Sequence, residues 1–387
     1  MSRSTLLSTV ELSDRKSLLN GRTNGYTTTE TSKSTGALLV GFDWGTNKSC
    51  VYVAKPGEAE TSFNTVVPTL VGYANDGIVE GILPNNAKTL IGEEAVKYRN
   101  HLRMVQPMID GVIDDLSASR DFAKHIRSVI APEPGTELRA VIGMPANAER
   151  SARENLRQAV NGVFERVILI PEPFLAALGY RDEARLGTDG YVDPVSNSLF
   201  VDIGGGTTDV CLVQGYYPTA NDQVSFAFAG DKVDALIAEG IKKTYPDVQL
   251  SSHKIREIKE QHSFVGKPEA PVIVSVVVGG KMRKLDVTEA IATATEALLR
   301  EIHEAVKALI VRSNSDTVVE LMQNIILTGG GSRIRGLDTE LQRLLTEEGF
   351  EAPNVQVVGT GYKEYVAKGA LKAARQAKES QWQQIIS

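Results

Sequence analysis

The stretch "LFVDIGGGTTDVCLVQG" (199–215) decides how this chain reads, because an earlier stretch, "LLVGFDWGTNKSCVYVAK" (38–55), repeats its plan. In each, an apolar run ends in an aspartate, Asp202 or Asp43, and a glycine follows two residues later. Hydroxyl and amide side chains come next, and a second apolar run containing a cysteine, Cys211 or Cys50, closes the unit. Short apolar runs bounded by turn residues read as buried strands. Each stretch is therefore predicted as strand–turn–strand, and the repetition predicts two similar halves facing each other.

The composition of the two turns points to a charged ligand. Glycines let the backbone bend sharply and come close to a bound group, and successive backbone N–H groups in such a turn form an anion-binding concavity. Thr46, Asn47, Thr207 and Thr208 add neutral donors without bulk. An aspartate at each strand end can sit beside phosphate only if a cation lies between, which suggests Mg²⁺ held by carboxylates, waters and phosphate oxygens. Two such turns could clamp a nucleoside triphosphate from both sides. The plainer alternative is a pair of ordinary hairpin turns. It fits "DIGGGTTD" poorly, because three glycines carry an entropic cost that an ordinary turn avoids. No GxxxxGK[ST] pattern is present, which excludes a P-loop.

Bulk properties narrow the class. The 387 residues are 42% hydrophobic and 23% charged, with net charge −6. This is the profile of a soluble α/β protein of two to three ordinary domains, and the acidic balance argues against nucleic-acid binding. The two cysteines have no metal-type spacing and read as small core residues. No run approaches the ~18 apolar residues of a membrane helix, and no signal peptide is visible. The expected location is cytoplasmic. Residues 1–36, rich in Ser, Thr and Gly, read as a disordered leader. Beyond them, "RAVIGMPA" and "NSLFVDIG" read as buried strands and "AERSARENLRQAVNGVF" as a helix. "DVTEAIATATEALLREIHEAVKALIVRS" reads as a helix whose buried face is Ile291, Ala294, Leu298, Ile302, Val306 and Leu309, with Asp286 and Glu289 as a capping pair. "APVIVSVVVGGKMRKLDV" reads as a hairpin turning at Gly279-Gly280.

Set in order along the chain, the motifs resemble those of the actin-like ATPase superfamily, which includes actin, bacterial actins, heat-shock chaperone ATPase domains and sugar kinases. "FDWGTNKSC" and "VDIGGGTTDV" resemble its two phosphate motifs. "IPEPFLAALGY" (170–180) and "EYVAKGALKAA" resemble its connecting helices, and "QNIILTGGGSRIRGL" (323–337) its adenosine motif. "IREIKEQHSFVG" (255–266) resembles the bacterial-actin helix whose Lys-Glu pair reaches the nucleoside. The likeness covers about residues 37–375. "VIGMPA", "EPF", "VDIGGGTTD", "SFVG" and "GGGSRIRGL" look more like the actins of magnetosome chains, the MamK family, than like the cell-shape actins. The leader, Trp44 and Lys48 depart from the pattern.

The resemblance implies an actin-like (ribonuclease H-like) α/β fold, two similar halves around a nucleotide cleft, with ATP and Mg²⁺ as cofactors. The halves would be 37–180, with a small subdomain near 59–95, and 181–387, with one near 231–288. By the motif matches, Asp43 and Asp202 would position Mg²⁺ and its waters, and Glu172 would orient the attacking water. Gly45, Thr46 and Asn47 would hold the phosphates from one side, and Gly204, Gly205, Gly206 and Thr207 from the other. Lys259 and Glu260 would meet the ribose or base, and Gly329, Gly330, Gly331 and Ser332 the adenosine. Lys48 reads equally as a phosphate contact or a solvated lysine, and one reading places Trp44 between the halves. The implied function is an ATPase whose head-to-tail homopolymer is a cytoskeletal filament, serving an organelle or cargo adaptor. A monomeric chaperone-like switch, a small-molecule kinase and a membrane-tethered division adaptor are the alternatives.

Overall fold

Strands β1 (Ala37–Trp44) and β2 (Lys48–Ala54) pair antiparallel across the loop Gly45–Asn47, with Asp43 opposite Cys50. Alternation along the pleat divides them. Val40, Phe42, Trp44, Val51 and Val53 enter one core, while Leu39, Cys50, Tyr52 and Ala54 enter another. β3 (Phe63–Pro68) extends the hairpin, and β4 (Glu137–Met144) and β5 (Arg166–Pro171) add in parallel on the other side. β4 is almost wholly buried from Ala140 to Met144, as a strand covered on both faces should be. Helix α1 (Glu172–Tyr180) leaves β5 directly.

The second unit repeats the plan. β6 (Ser198–Ile203) and β7 (Thr208–Val213) form an antiparallel hairpin with Asp202 opposite Asp209, and β8 (Gln223–Phe226) extends it. Helices α2 (Gly230–Thr244), α3 (Ser252–His262) and α4 (Thr288–Arg312) follow. β9 (Ile325–Thr328) and β10 (Val355–Val357) then add in parallel beside β6. After α5 (Tyr365–Gln376), a short β11 (Gln383–Gln384) returns to pair with β5. The strand orders are β11-β5-β4-β1-β2-β3 and β8-β7-β6-β9-β10, the same arrangement twice with one strand added to the first.

Between the two sheets, α1 packs on β6 and β7, and α5 packs on β1 and β4. Their shared core takes Leu175, Ala176 and Ala177 from α1 and Val366, Ala367 and Ala370 from α5, with Leu39 and Val141 from one sheet and Phe200 and Ile326 from the other. Cys50 and Cys211 lie in it as buried free thiols, each pushed well up from its usual pKa by burial first. They are not equivalent positions, however. Cys50 faces Asp43, whereas Cys211 faces Phe200; the counterpart of Cys50 is Asp209.

The computed structural model describes residues 36–384, apart from 110, 146, 147, 217, 314, 360, 362 and 363. The leader reading therefore lies outside the described residues, except for Gly36. The helix read over 148–164 spans Arg150–Val160, and the predicted face of α4 is buried throughout. The hairpin forms from Ile273–Val278 and Lys281–Asp286, and Gly279 and Gly280 both have the positive φ (56° and 79°) that a two-residue I′ turn needs. Two expectations fail. Val287, not Asp286, occupies the N-cap of α4, and Asp286 instead accepts from the Thr288 backbone N–H and hydroxyl. Trp44 does not pack between the halves. Its ring stacks on Phe42 (5.2 Å) and Phe122 (5.8 Å) in the core of the first sheet, because it shares a pleat face with Val40 and Phe42.

Candidate functional site

Asp43 alternates with Trp44 and so lies on the inner face of β1 with Leu39; Asp202 lies on the inner face of β6 with Phe200. Both faces look into the layer that holds α1 and α5. Both strands end where that layer opens into a cleft of ≈ 730 Å³, within the usual range of ligand sites, roughly 300–1,000 Å³. Glu172 reaches the same cleft as the first residue of α1, over Gly143, where an added Cβ would come within 2.9 Å of the Glu172 Cγ.

The carboxylates act on one another. Burial first, and Asp202 second, hold the Asp43 carboxyl well above the usual range. Burial, then Asp209, pushes Asp202 up to about 7. Glu172 is raised by burial, then by Asp43, Asp209 and Asp202. Every one of these influences disfavours negative charge. Such a set of hard oxygen donors fits a divalent cation of the Mg²⁺ type, which would relieve the repulsion and bind through carboxylates, water and phosphate.

A consequence can be measured. A carboxyl whose pKa is raised on folding stabilises the fold below its unfolded value and loses that contribution as pH rises through its folded value. For Asp202 the window runs from 3.8 to about 7. In EDTA, Asp202→Asn should therefore gain melting temperature over the unsubstituted protein at pH 8 and not at pH 4. Mg²⁺ with nucleotide should shrink the pH 8 difference. Equal melting at both pH values would contradict the assignment.

The two loops meet across the cleft. In the first, the Thr69 hydroxyl donates to the Gly45 carbonyl (2.7 Å) and lies 2.7 Å from the Ser49 hydroxyl, while the Thr69 N–H donates to the Asn47 carbonyl (3.0 Å). In the second, the Gly204 N–H donates to the Thr207 carbonyl (2.9 Å). The Gly230 and Asp231 N–H groups of α2 donate to the Gly204 and Gly205 carbonyls (3.1 and 2.8 Å). The Thr207 hydroxyl donates to Asp209 (2.9 Å).

On the far wall, α3 presents Arg256, Lys259 and Glu260. The Lys259 ammonium donates to the Gly230 carbonyl (2.7 Å) and pairs with Asp234 (2.9 Å), fastening α3 to the start of α2. Gly329, Gly330 and Gly331 line the cleft after β9. A Cβ on Gly329 would fall 2.4 Å from an Asp202 carboxylate oxygen, and one on Gly331 would fall 2.1 Å from the Ile203 side chain. Gly329 and Gly331 are thus already required by the chain's own packing.

The chain matches the family model described as MreB/Mbl protein over residues 38–380. It belongs to the MreB/Mbl family. This member is 30% identical over 353 residues to the actin-like protein MamK of Paramagnetospirillum magneticum, covering 90% of this chain and 95% of MamK. It superposes on a MamK double helical filament with TM-score 0.78 at 30% identity, over 88% of this chain and 100% of the other. A non-polymerising MamK mutant bound to AMPPNP matches with TM-score 0.63 at 30% identity, over 88% and 99%. The fold of this MreB/Mbl protein is actin-like, in line with the motif resemblance.

Within this family member, the cleft gathers Asp43, Asp202, Glu172, Gly45, Thr46, Asn47, Gly204, Gly205, Gly206, Thr207, Lys259, Glu260, Gly329, Gly330 and Gly331. Ser332 stands apart. It is buried, and its hydroxyl donates to the Gly329 carbonyl (2.8 Å), so it closes the turn rather than lining the cleft. Lys48 and Trp44 also border the cleft. Three contributors were missed. Asp209 was masked by matching the cysteines, although counting from Asp43 and Asp202 puts Asp209 level with Cys50. Thr69 and Arg256 carry no local signal, since their partners lie far away in sequence.

Proposed function

We propose that this protein is a filament-forming actin-like ATPase that binds ATP with Mg²⁺ in the cleft between its two sheets. The observation that carries the reading is the convergence of Asp43, Asp202 and Glu172 with both glycine-hydroxyl loops in one cavity, with the buried Asp209 paired to Asp202 behind them. The AMPPNP-bound and filamentous MamK structures support it. In this reading the halves are 37–180 and 181–387, the last part of the second, α5 and β11, returning to pack on the first sheet, and their loops hold the phosphates. Asp43 and Asp202 hold Mg²⁺, which would neutralise charge on the phosphates. Glu172, fixed at the start of α1, orients a water for in-line attack on the γ-phosphate, so catalysis comes from positioning and charge rather than a covalent intermediate. Polymerisation is a head-to-tail, non-closing self-contact, and the filament is cytoplasmic, organising a cargo such as a magnetosome chain through an adaptor.

Sedimentation of the purified protein with Mg-ATP, Mg-ADP or no nucleotide, with negative-stain imaging of the pellet, tests this. Nucleotide-dependent filaments are the expected result. Protein that turns over ATP yet stays soluble across concentration and salt would overturn the filament reading.

A further inference from the structure

The first loop does not merely approach the second; it is bonded to the helix behind it. The Asn47 amide nitrogen donates to the Asp231 carboxylate (3.2 Å), in the first turn of α2. Asp231 can only accept, so this contact fixes the orientation of the amide, and the Gln106 amide in turn donates to the Asn47 oxygen (3.4 Å). Arg256 of α3 donates to the same Asp231 oxygen (3.1 Å) and pairs with Asp234 (3.4 Å), which holds Lys259. A polar chain therefore runs from Gln106, beside the first sheet, across the cleft to α3. Gly205 makes room for it, since a Cβ there would lie 2.1 Å from the Asn47 amide nitrogen. The middle glycine of "GGG" thus serves this crossing as well as any ligand.

We propose that Asp231 tunes the discrimination between nucleoside triphosphate and diphosphate by competing with the γ-phosphate for the Asn47 amide. The inference rests on the nucleotide reading above. Asn47 sits in the loop assigned to the β- and γ-phosphates, and its amide is held by an anionic acceptor with Arg256 offsetting the charge. A γ-phosphate is a second anionic acceptor for the same amide nitrogen, and the side chain must turn from Asp231 to face it; charge-assisted bonds of this kind are the strong ones. A diphosphate lacks this terminal acceptor and leaves only the β-phosphate beside the loop. Asp231 therefore lowers the advantage of the triphosphate and links its arrival to the release of α2 and α3 from the first loop.

The test measures the affinities of the full chain for Mg-AMPPNP and Mg-ADP, at protein concentrations where no polymer sediments. Asp231→Ala should raise the AMPPNP-to-ADP preference about 3- to 10-fold, the scale of one competing hydrogen bond. Asp231→Asn keeps an acceptor oxygen but loses the charge that strengthens the bond, so it should raise the preference about 2- to 3-fold, less than Asp231→Ala does. In an Asn47→Ala background, Asp231→Ala should change nothing further. An unchanged preference in Asp231→Ala overturns the proposal. So does an equal shift in Asp231→Asn, which would make charge alone responsible. Failure of the unsubstituted protein to bind either nucleotide would instead remove the nucleotide reading itself. Thermal melts identify any variant that fails to fold, and Asp231→Asn then carries the test through its cycle with Asn47→Ala.

Discussion

Glu172→Ala is expected to slow ATP turnover by about 10²- to 10⁴-fold, the usual loss when a positioned acid-base group is removed. Nucleotide affinity should be retained. Glu172 is half-buried at the cleft beside three other carboxylates, each of which raises its pKa after desolvation itself. Deleting it removes repulsion from the cluster, so phosphate binding should not weaken. Its backbone position tolerates alanine, which has the best helix propensity, and the loss of a favourable acid at the helix start costs only about 0.3–1 kcal/mol. Single-turnover phosphate release, measured beside nucleotide binding and sedimentation, checks the result. Filaments of the variant should persist longer after ATP is added. Turnover within a few-fold of the unsubstituted protein would remove Glu172 from the hydrolytic role.

Gly369→Ala is expected to destabilise the fold by about 3 kcal/mol or more, the upper end for overpacking. Helices α1 and α5 touch backbone to backbone. A Cβ on Gly369 would fall 1.8 Å from the Leu175 carbonyl oxygen, and one on Gly179 would fall 1.9 Å from that of Tyr365. Gly41 of β1 meets the other side of α5, where an added Cβ would fall 2.1 Å from the Ala367 carbonyl oxygen. A flexible side chain could yield to an added methyl; three backbone segments cannot, because each carries a helix or strand with it. The melting temperature should fall by roughly 5–10 °C, read by circular dichroism. Gly359→Ala, where nothing lies within 4 Å of the added Cβ, is the matched control and should change little. A melting temperature unaltered by Gly369→Ala would mean that the helices can separate at no cost.

Much of this protein was readable before its structure. The repeated strand–Asp–turn–strand unit specified two like sheets because the pleat has period two. The pleat sets Asp43 and Trp44 on opposite faces of a strand buried on both, and only the structure showed that the aspartate's face is the one the two sheets share. The glycines and hydroxyls of both turns marked the cleft for local reasons, whereas Glu172, locally only an acid at a helix start, entered through the motif resemblance. α4 and the Gly279-Gly280 hairpin followed from spacing and from the φ that glycine permits.

What the linear chain left open were choices between neighbours distant in sequence. The pattern around Trp44 gave no partner; Phe42 and Phe122 claimed its ring because all three face one core. Cysteine matching hid Asp209, and only strand register set it opposite Asp202. Nothing near Asn47 announced Asp231, and nothing near Gly369 announced Leu175. Periodicity and turn chemistry are local, so the sequence determined the strands, loops and acids on its own. The closeness of α1 to α5 and the bond between loop and helix depend on how whole elements stack, and only the tertiary structure decided them.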